Sequence, residues 1–574
     1  MEVFWPRQER LEFELQALRE AGIEYEIVSG DPAELGQLRI RLLSPLENHD
    51  VNLDVVFPEL YPYFRFQIGT TELELGHHHN PFEGYLCVIG RATDQWRLDD
   101  TVAKFVQERV PLAIRTAESE REAVEGVEEE QAEPFSNYYP YADRHLLLID
   151  GSWSIERNAR SGSLVLGIPS QPLSLPLKAI VREVRDEEEV LARFDDPPFA
   201  SRYRNTRYAR WVFLDEPIRE ANPAAYFAAA REYDQGGDPG QLTEFKGGHL
   251  RIIVTLFPEE SSWRDEESGV GWVAVAQKNE RVESGGHAQE HFFIRVARAG
   301  EQDFSIRMPE LQHMGDKKIA VIGLGCLGAP SALEFARMGA GRLQFVDHDS
   351  IDPPTTARWP FGHPVFGESK VDVLTEFIRA HYPRTEVWNT NGLKIGAIRS
   401  DDVAAGKEWE ALGKVLGDAS LIYDAAGEHG VQRFLSEYAR QAEIPYVWVE
   451  GRQGGWGGLV GRAMPAEACW ACIECAQTDG EVLQPPSAPD DVGWRQPQGC
   501  GDPTFTGAGF DMQTVAMSGV RAAVAALADE DDDYPDRPWN VEVISLRSAD
   551  GGTAVPSWEV RTVERRTGCP VCGE

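Results

Sequence analysis

The chain has 574 residues, 42% of them hydrophobic, and a formal net charge of −38 at pH 7. This length exceeds what a single hydrophobic core supports and predicts about three or four domains, and the hydrophobic content excludes global disorder. Because phosphate backbones bind basic surfaces, nucleic acid is not expected as a main partner of so acidic a chain.

The expected lack of a targeting signal and the cysteine usage both indicate a cytoplasmic protein. The start, MEVFWPRQERLEFE, has no basic region followed by an apolar run, so we expect no secretory signal. No stretch approaches the roughly 18 apolar residues that span a bilayer, so we expect no membrane partner. Six of the eight cysteines follow residue 460, which favours metal or thiol chemistry in a reducing cytosol over a disulfide framework.

Residues 1–117 are predicted to form an α+β domain. RQERLEFELQALREA has apolar residues at helical spacing, and the short alternating segments YEIVS, LRIRLL, VNLDVVF and FRFQIG follow it. DDTVAKFVQERVPLAI is predicted to be a closing helix with aspartate at its start. The acidic stretch at 118–134, ESEREAVEGVEEEQAEP, is predicted to be a solvated helix or linker, which places a domain boundary there.

Residues 135–312 contain strand-like runs such as HLLLID, RWVFLD and HLRIIVTLF around one predicted helix, PAAYFAAAREY. We predict an α/β connecting domain here, whose charged residues lie mostly on its surface. From residue 313 onward, KKIAVIGLGCLGAPSALEFARMGAGRLQFVDHD alternates strand, glycine turn, helix and strand. This order is typical of a βαβ unit in a parallel, Rossmann-like sheet, so residues 313–574 are predicted to form an α/β domain.

The glycine turn GLGCLG predicts a nucleotide site. Gly323, Gly325 and Gly328 lie between a strand and a helix, where backbone N–H groups can approach phosphates closely. Asp347 ends the next strand and can accept hydrogen bonds from ribose hydroxyls. A glycine turn needed only for packing is the structural alternative.

Three charged residues after Asp347 favour ATP over NAD. They are Asp349, then Arg358 in TTARW, then Lys370 in FGESK. Hydride transfer needs no pair of fixed cations here, whereas a carboxylate that attacks an α-phosphate leaves charge on pyrophosphate, which arginine and lysine can neutralise.

These motifs resemble the ThiF/MoeB and ubiquitin-activating family over about residues 313–574. That family has a glycine-rich loop, a strand ending in D-x-D, an N-x-x-R segment, a G-x-x-K and a later strand with an acidic end; here they are GLGCLG, VDHD, TTAR, GESK and LIYDAAGEHG. The resemblance implies an adenylation domain that binds ATP and Mg²⁺. Asp347 would contact the ribose, and Arg358 and Lys370 the triphosphate.

The chain departs from the family pattern at two positions. Thr355 replaces the usual asparagine, and Gly427 aligns with the family's magnesium-binding aspartate. Asp424 or Glu428 would then have to bind the metal. A degraded domain that does not adenylate is the alternative at this point.

Two CxxC pairs predict a zinc site. Cys469 and Cys472 form one pair and Cys569 and Cys572 the other, and tetrahedral Zn²⁺ takes four thiolates. The same two zinc knuckles occur in the ThiF/MoeB family, although free buried thiols are the alternative. Cys475 extends the first pair as a surplus or alternative ligand.

Cys500 stands alone in the Gly/Pro-rich segment QPQGCGDPTFTGAGFD. The family carries, at about this place before a helix, the cysteine that receives the activated carboxyl group. The resemblance therefore implies that Cys500 attacks the acyl adenylate and forms a thioester. A spare thiol is the alternative, and Cys326 in the glycine turn is interpreted as a small packing residue.

The N-terminal domain contains a further set of motifs. FPELYPYFRFQ at 57–67 is followed by HHHNPFEGYLCV, then by DQW and a helix. This order resembles the P-x-x-Y-P-F, H-P-N, cysteine and Q-W signature of ubiquitin-conjugating enzymes, over about residues 5–117. The resemblance implies that Cys87 carries a thioester and that the Asn80 amide steadies the oxyanion when lysine attacks.

His78 would be the structural histidine of that signature, and Trp96 would pack near the loop. The chain departs from the signature because Pro81 follows Asn80 instead of preceding it. A metal-binding histidine tract and a merely buried Cys87 are the alternatives.

Together the motifs resemble bacterial fused enzymes of CBASS antiphage defence and related ubiquitin-like operons. The resemblance implies activation of the C-terminus of a ubiquitin-like protein or a CBASS nucleotidyltransferase, transfer from Cys500 to Cys87, and conjugation to a lysine of a target protein. It further implies a homodimer, and a connecting domain that is an inactive adenylation-like half. A sulfur-carrier-activating enzyme, a non-catalytic scaffold and an NAD-dependent enzyme remain alternatives.

Overall fold

A computed structural model describes residues 7–30, 37–73, 75–88, 96–97, 99–118, 133–155, 160–169, 175–186, 189–195, 201–234, 243–245, 248–260, 268–281, 287–397, 402–495, 504–529 and 531–573. The chain divides into two compact units, Met1–Gly300 and Glu301–Glu574. In the described part of the chain, every helix is too short or too polar to cross a membrane.

The first unit begins with the predicted α+β domain. Its helices are α1 (Arg7–Glu20), α2 (Val102–Glu108) and α3 (Val110–Glu118), and its strands are β1 (Tyr25–Ser29), β2 (Leu38–Leu42), β3 (Leu53–Phe57) and β4 (Gln67–Gly69). The strands form an antiparallel sheet in the order β1-β2-β3-β4. Its buried face and the helices enclose one core that includes Leu11, Ile40, Val55 and Phe105.

The closing helix begins one residue later than the aspartate pair predicted. Thr101 is its N-cap, because the Thr101 side chain accepts a hydrogen bond from the Lys104 N–H. The Asp100 carboxylate instead accepts a hydrogen bond from the Arg97 N–H. Most of the predicted acidic linker, 119–132, lies outside the described residues.

The rest of the first unit is a β-barrel, so the α/β prediction for the connecting domain is wrong. Its elements are β5 (Tyr141–Ile149), β6 (Ser161–Ile168), β7 (Lys178–Asp186), β8 (Glu189–Arg193), β9 (Asn205–Phe213), α4 (Pro223–Tyr233), β10 (Thr243–Phe245), β11 (Gly248–Glu260), β12 (Ser268–Arg281) and β13 (His287–Arg298). The strand order β11-β12-β13-β5-β7-β6-β9 returns to β11, because β9 pairs with it in parallel. The alternating helices of an adenylation-like half do not occur among these described elements.

Strand β11 shows how the barrel is filled. Its residues Leu250, Ile252 and Val254 lie in the core inside the barrel, whereas Ile253 and Phe257 pack in a second core with helix α4. Successive side chains of a strand point to opposite faces, so β11 is apolar on both faces and buried on both.

The second unit is the predicted Rossmann-like domain. It starts with α5 (Glu301–Ser305), which the sequence had placed in the connecting region, and continues through β14 (Lys318–Ile322), α6 (Gly328–Arg337), β15 (Arg342–Asp347), α7 (Lys370–His381), β16 (Glu386–Asn391), α8 (Asp402–Gly417), β17 (Leu421–Asp424), α9 (His429–Gln441) and β18 (Tyr446–Gly451). These strands pair in parallel in the order β16-β15-β14-β17-β18.

The remaining strands extend this sheet in antiparallel fashion. The elements are β19 (Gly457–Ala463), α10 (Trp470–Thr478), α11 (Asp490–Gly493), β20 (Trp494–Arg495), β21 (Thr504–Phe505), α12 (Gly509–Leu527), β22 (Val541–Arg547) and β23 (Thr553–Arg561). Strands β19, β22 and β23 complete the eight-stranded sheet, and β20 and β21 pair separately. Helix α12 packs in the core that also holds residues of β14 and β15.

Candidate functional site

The predicted nucleotide-site residues lie at the carboxyl ends of β14, β15 and β17. Strand β14 has β15 on one side and β17 on the other, so the chain order reverses at β14. In open α/β sheets the crevice at such a reversal is where ligands bind. The fold therefore places the glycine turn, Asp347 and Asp424 around one crevice.

Two glycines of the turn are required by close backbone packing. Gly323 has φ of +83°, and a Cβ there would lie 2.7 Å from the Ala426 backbone. A Cβ on Gly328 would lie 1.9 Å from the Gly323 carbonyl oxygen. At Gly325 a Cβ would meet none of the described heavy atoms within 4 Å. Packing thus explains Gly323 and Gly328 but not Gly325, and helix α6 begins at Gly328 with its first N–H groups at the turn.

Asp347, Asp349 and Lys370 come together as the sequence predicts. The Asp347 carboxylate accepts hydrogen bonds from the Leu324 N–H at 2.6 Å and the Asp349 N–H at 2.7 Å. Lys370, the first residue of α7, donates from Nζ to Asp349 Oδ2 at 2.7 Å. Burial alone would raise the pKa of Asp349, but the bond to Lys370 and its charge hold that pKa below its usual value. The ion pair fixes the lysine at the edge of the crevice.

Arg358 contacts a different part of the molecule. Its guanidinium donates to the Phe505 carbonyl at 2.7 Å and to Thr504 Oγ1 at 3.0 Å, and lies 4.4 Å from the centre of the Phe505 ring. Arg358 therefore holds strand β21. Its positive charge and that of Lys370 also oppose the burial that raises the pKa of Cys326 in the glycine turn.

Trp359 is a site residue that the sequence reasoning missed. Its indole N–H donates to the Leu324 carbonyl at 2.8 Å, and the side chain is buried. In the motif TTARW, only the arginine was interpreted as a site residue. The signal for Trp359 was its position directly after this charged loop residue. Trp359 and Asp347 thus both hold Leu324 of the glycine turn, one through its carbonyl and the other through its N–H.

Asp424 is buried at the end of β17 and is only 1% exposed. Its oxygens accept hydrogen bonds from the Ala426 N–H at 2.9 Å and the Tyr446 hydroxyl at 2.8 Å. Burial raises its pKa to about 7, against these hydrogen bonds. Asp424 therefore holds the loop that packs on Gly323, and its assignment to a magnesium ion stays a prediction.

Gly427, which aligns with the family's magnesium-binding aspartate, has free space around it among the described residues. Gly427 has φ of +67°, and a Cβ there would have no heavy atom of the described residues within 4 Å. The neighbouring Glu428 is exposed, and its carboxylate caps α9 by accepting a hydrogen bond from the Val431 N–H at 2.8 Å. The chain thus has space for a side chain at Gly427, but the neighbouring exposed carboxylate, that of Glu428, caps the start of α9.

Four buried cysteines form the predicted metal site. Cys469, Cys472, Cys569 and Cys572 place their sulfurs within 4.8 Å of one another. Cys469 and Cys569 are 3.6 Å apart at Sγ, and Cys472 and Cys572 are 3.3 Å apart. Four sulfurs at about 2.3 Å from one tetrahedral Zn²⁺ would be roughly 3.8 Å apart, so the cluster is compatible with zinc.

The other two cysteines of this region stand differently. Cys475 is partly exposed on α10 and is not a member of the four-sulfur group. Cys500 lies in 496–503, outside the described residues, so its predicted role as thioester acceptor is not tested. The described chain resumes at Thr504, which Arg358 contacts.

Cys87 is exposed on a short hairpin of the N-terminal domain. His79 and Leu86 pair across this hairpin, and the Cys87 N–H donates to the His78 carbonyl at 2.8 Å. An exposed thiol on a backbone-paired segment is accessible and held in place, as a nucleophile needs. The alternative of a buried, inert Cys87 does not agree with this exposure.

Asn80 forms the turn of the same hairpin. Its side-chain oxygen accepts hydrogen bonds from the N–H groups of Phe82 and Glu83, both at 2.9 Å. This leaves the NH₂ group of the amide for other contacts. Trp96 is buried and donates from its indole N–H to the Pro62 carbonyl at 2.8 Å, so it packs against the 57–67 segment, and its place near the Cys87 loop stays a prediction.

Two family models match the chain. The ThiF family matches residues 299–528, and the Prokaryotic E2 family B matches residues 33–147. The first match covers the glycine turn, the Asp349–Lys370 pair and the first CxxC pair. The second covers the Cys87 hairpin and ends inside β5. The fold and these sites define a protein that joins a conjugating-type (E2-like) domain to a ThiF-type, activating-like (E1-like) adenylation domain.

Two relatives align with this chain over nearly their whole length. The uncharacterized protein y4oA of Sinorhizobium fredii is 30% identical over 562 residues, which is 94% of this chain and 92% of the relative. The uncharacterized protein y4qC of the same organism is 26% identical over 97% of this chain and 95% of the relative. The chain belongs to this family of bacterial fused activating and conjugating-like proteins, which confirms the resemblance that the motifs indicated.

Two further similarities cover only part of the chain. The ATP-dependent ubiquitin transferase-like protein Cap2 of Pseudomonas aeruginosa is 26% identical over 194 residues, 33% of this chain and 32% of Cap2. The crystal structure of E. coli MccB with ATP is similar at 16% identity and a TM-score of 0.35, over 47% of this chain and 71% of MccB.

Proposed function

We propose that the protein activates the C-terminal carboxylate of a small protein with ATP and passes it through two cysteines to an amine. The carrier would be a ubiquitin-like protein or a CBASS nucleotidyltransferase, and the acceptor a lysine of a target protein in antiphage defence. One observation carries the proposal: a single chain holds an adenylation-type crevice with the Asp349–Lys370 pair and an exposed thiol on an E2-like hairpin.

In the first step the carrier carboxylate attacks the α-phosphate of ATP, and pyrophosphate leaves. Lys370 supports this step because a fixed ammonium stabilises charge that develops on the phosphates. The N–H groups at the start of α6 would bind the phosphates, and Asp347 would accept hydrogen bonds from the ribose. In this role Asp347 would exchange its bond to the Leu324 N–H for bonds from the ribose hydroxyls.

For Mg²⁺ we propose the exposed carboxylates rather than Asp424. Magnesium keeps several waters and binds through one or two carboxylates together with phosphates. The Asp349 side chain is 49% exposed, and Glu428 is exposed as well. Either can accommodate a hydrated ion more easily than Asp424, whose oxygens are both hydrogen-bonded and buried.

The later steps exchange one acyl bond for another. The Cys500 thiolate attacks the adenylate carbonyl and AMP leaves. The Cys87 thiolate then attacks that thioester, and the Cys500 thiolate leaves. Finally a lysine amine attacks the Cys87 thioester, loses a proton to solvent, and releases the Cys87 thiolate. The NH₂ group of Asn80 is our candidate for the donor to the oxyanion of this last step.

Exchange of labelled pyrophosphate into ATP tests the first step. With candidate carriers encoded by neighbouring genes, we expect carrier-dependent exchange that is lost in Lys370→Ala. Lys414→Ala, which removes an exposed lysine paired with Glu410 on α8, is the matched control. Absence of exchange with every carrier would favour the scaffold reading, to which the missing carboxylate at Gly427 already lends support. Exchange without any loading of Cys87 would favour a sulfur-carrier-activating enzyme.

A further inference from the structure

The hairpin that carries Cys87 is held from outside its own domain. The His77 ring lies 3.2 Å from a Glu260 carboxylate oxygen. The His78 N–H donates to Glu133 at 2.8 Å, and the His78 ring nitrogen Nδ1 lies 3.5 Å from the same carboxylate. Glu133 lies at the end of the acidic stretch, shortly before β5, and Glu260 ends β11, so both acids belong to the barrel side of the first unit.

The two acids are fixed by each other. The Glu133 N–H donates to Glu260 at 3.0 Å, and the Tyr138 hydroxyl donates to Glu133 at 3.2 Å. Their side chains are only 16% and 19% exposed. Hydrogen bonds to ionised groups that are shielded from water are stronger than exposed ones, so this polar cluster is a firm attachment.

An aromatic contact attaches the turn of the hairpin. The Phe82 ring lies 5.6 Å from the ring of Phe135 and 5.1 Å from that of Tyr139. Phe135 in turn lies 6.4 Å from Phe257 of β11, and Tyr139 is buried. Phe82 therefore packs on the aromatic core that covers the outside of the barrel.

The attachment reaches Cys87 through one backbone hydrogen bond. His78, which Glu133 holds, accepts the hydrogen bond from the Cys87 N–H. His78 has φ of +56°, a conformation that residues other than glycine adopt rarely. Since Glu133 binds both the N–H and the ring of this residue, it holds the unusual backbone that faces Cys87.

We propose that the barrel is a working part of the conjugating site, with Glu133, Glu260 and Phe135 as positioning residues for the Cys87 hairpin. This inference rests on the proposed function for its chemical consequence, the discharge of the Cys87 thioester to an amine. It also assigns the connecting domain a role, and it predicts that the E2-like domain and the barrel move as one body.

Hydrogen exchange of the full chain tests the attachment without any carrier. In Glu133→Gln and Phe135→Ala, we expect the amides of 78–88 to exchange at least about tenfold faster, because a charge-assisted hydrogen bond or an aromatic contact is lost. Phe135→Tyr should restore protection. Asp54→Asn, which removes an exposed ion pair with Arg41 in the same domain, is the matched control and should exchange like the wild type.

Discharge of loaded Cys87 to free lysine tests the consequence. With a carrier that supports pyrophosphate exchange, Glu133→Gln should lower the maximal rate of discharge about tenfold, with adenylation unchanged. In each variant the amides of the barrel strands must keep their wild-type hydrogen-exchange rates. If Phe135→Ala unfolds the barrel, Glu133→Gln and His77→Gln test the inference in its place. Wild-type hydrogen-exchange rates at 78–88 in these variants would overturn the inference, whether or not the chain conjugates a carrier. Faster exchange with unchanged discharge would overturn the positioning role, and failure of every carrier would count against the proposed function alone.

Discussion

Replacing Asp424 with asparagine should change how the stability of the second unit depends on pH. Asparagine has nearly the same shape and can still accept the Ala426 N–H, while its NH₂ group can face the Tyr446 hydroxyl. The ionisable group is lost. In the wild type, burial raises the pKa of Asp424 from 3.8 to about 7.

The size and sign of the effect follow from this shift. A raised carboxyl pKa means that the folded state holds its proton longer than the unfolded state, so stability falls as the pH rises from about 4 to about 7. Three pKa units correspond to about 4 kcal/mol, which is the largest cost that ionised Asp424 can impose above pH 7. Asp424→Asn should therefore match the wild type near pH 4 and be more stable at pH 8 by up to that amount.

Hydrogen exchange of 421–432, corrected for intrinsic rates between pH 5 and pH 8, measures the local opening free energy. Tyr446→Phe is the matched comparison, because it removes a hydrogen bond that lowers the pKa of Asp424 and should move the wild-type transition upward. Parallel pH profiles for the wild type and Asp424→Asn would refute the reasoning. We also expect the asparagine variant to keep pyrophosphate exchange within about tenfold, whereas loss of 10²-fold or more would return Asp424 to the metal.

Four other substitutions test the remaining parts of the second unit. Lys370→Ala should lower carrier-dependent pyrophosphate exchange by about 10²–10³-fold. Arg358→Ala should also lower pyrophosphate exchange, and it should speed hydrogen exchange in 504–508. Wild-type pyrophosphate exchange in both variants would reject the assignment of the nucleotide site. Metal analysis should find one zinc per chain, reduced in Cys569→Ser, and metal-free wild type would contradict the cluster's assignment. Gly328→Ala should destabilise the turn by about 1–3 kcal/mol, because its Cβ would meet the Gly323 carbonyl; an unchanged melting temperature would show that the turn can move aside.

The sequence predicted the second unit well because its signals are local. The strand, glycine turn and helix of 318–337 follow one another without interruption, and Asp347 ends one periodic segment while Lys370 begins another. The cysteine pairs are likewise short motifs whose chemistry needs no knowledge of the fold. Each of these features depends on neighbours in sequence.

The barrel could not be predicted in the same way. Strands β11, β12 and β13 have 13, 14 and 12 residues, and β11 is apolar on both faces, as strands of a parallel α/β sheet also are. What distinguishes the two folds is the pairing of β9 with β11, which closes the sheet. That contact is not written in any local pattern.

The contacts of the candidate site residues could not be predicted either, because they join residues that are distant in sequence. Arg358 finds Phe505, 147 positions away, and His78 finds Glu133, 55 positions away. The burial of Asp424 under Tyr446 also arises only when β17 and β18 pair. The sequence indicated candidate side chains, and the tertiary structure determines what each one contacts.

The central claim is that an acyl group passes from an adenylate through Cys500 to Cys87. Intact-protein mass spectrometry of Cys87→Ala and Cys500→Ala, incubated with ATP, Mg²⁺ and a carrier that supports pyrophosphate exchange, tests it most directly. We predict a thiol-sensitive carrier adduct on Cys500 in the Cys87→Ala chain, and no adduct on Cys87 in the Cys500→Ala chain. Strong loading of Cys87 in the Cys500→Ala chain would contradict the relay, because the adenylate would then be captured directly.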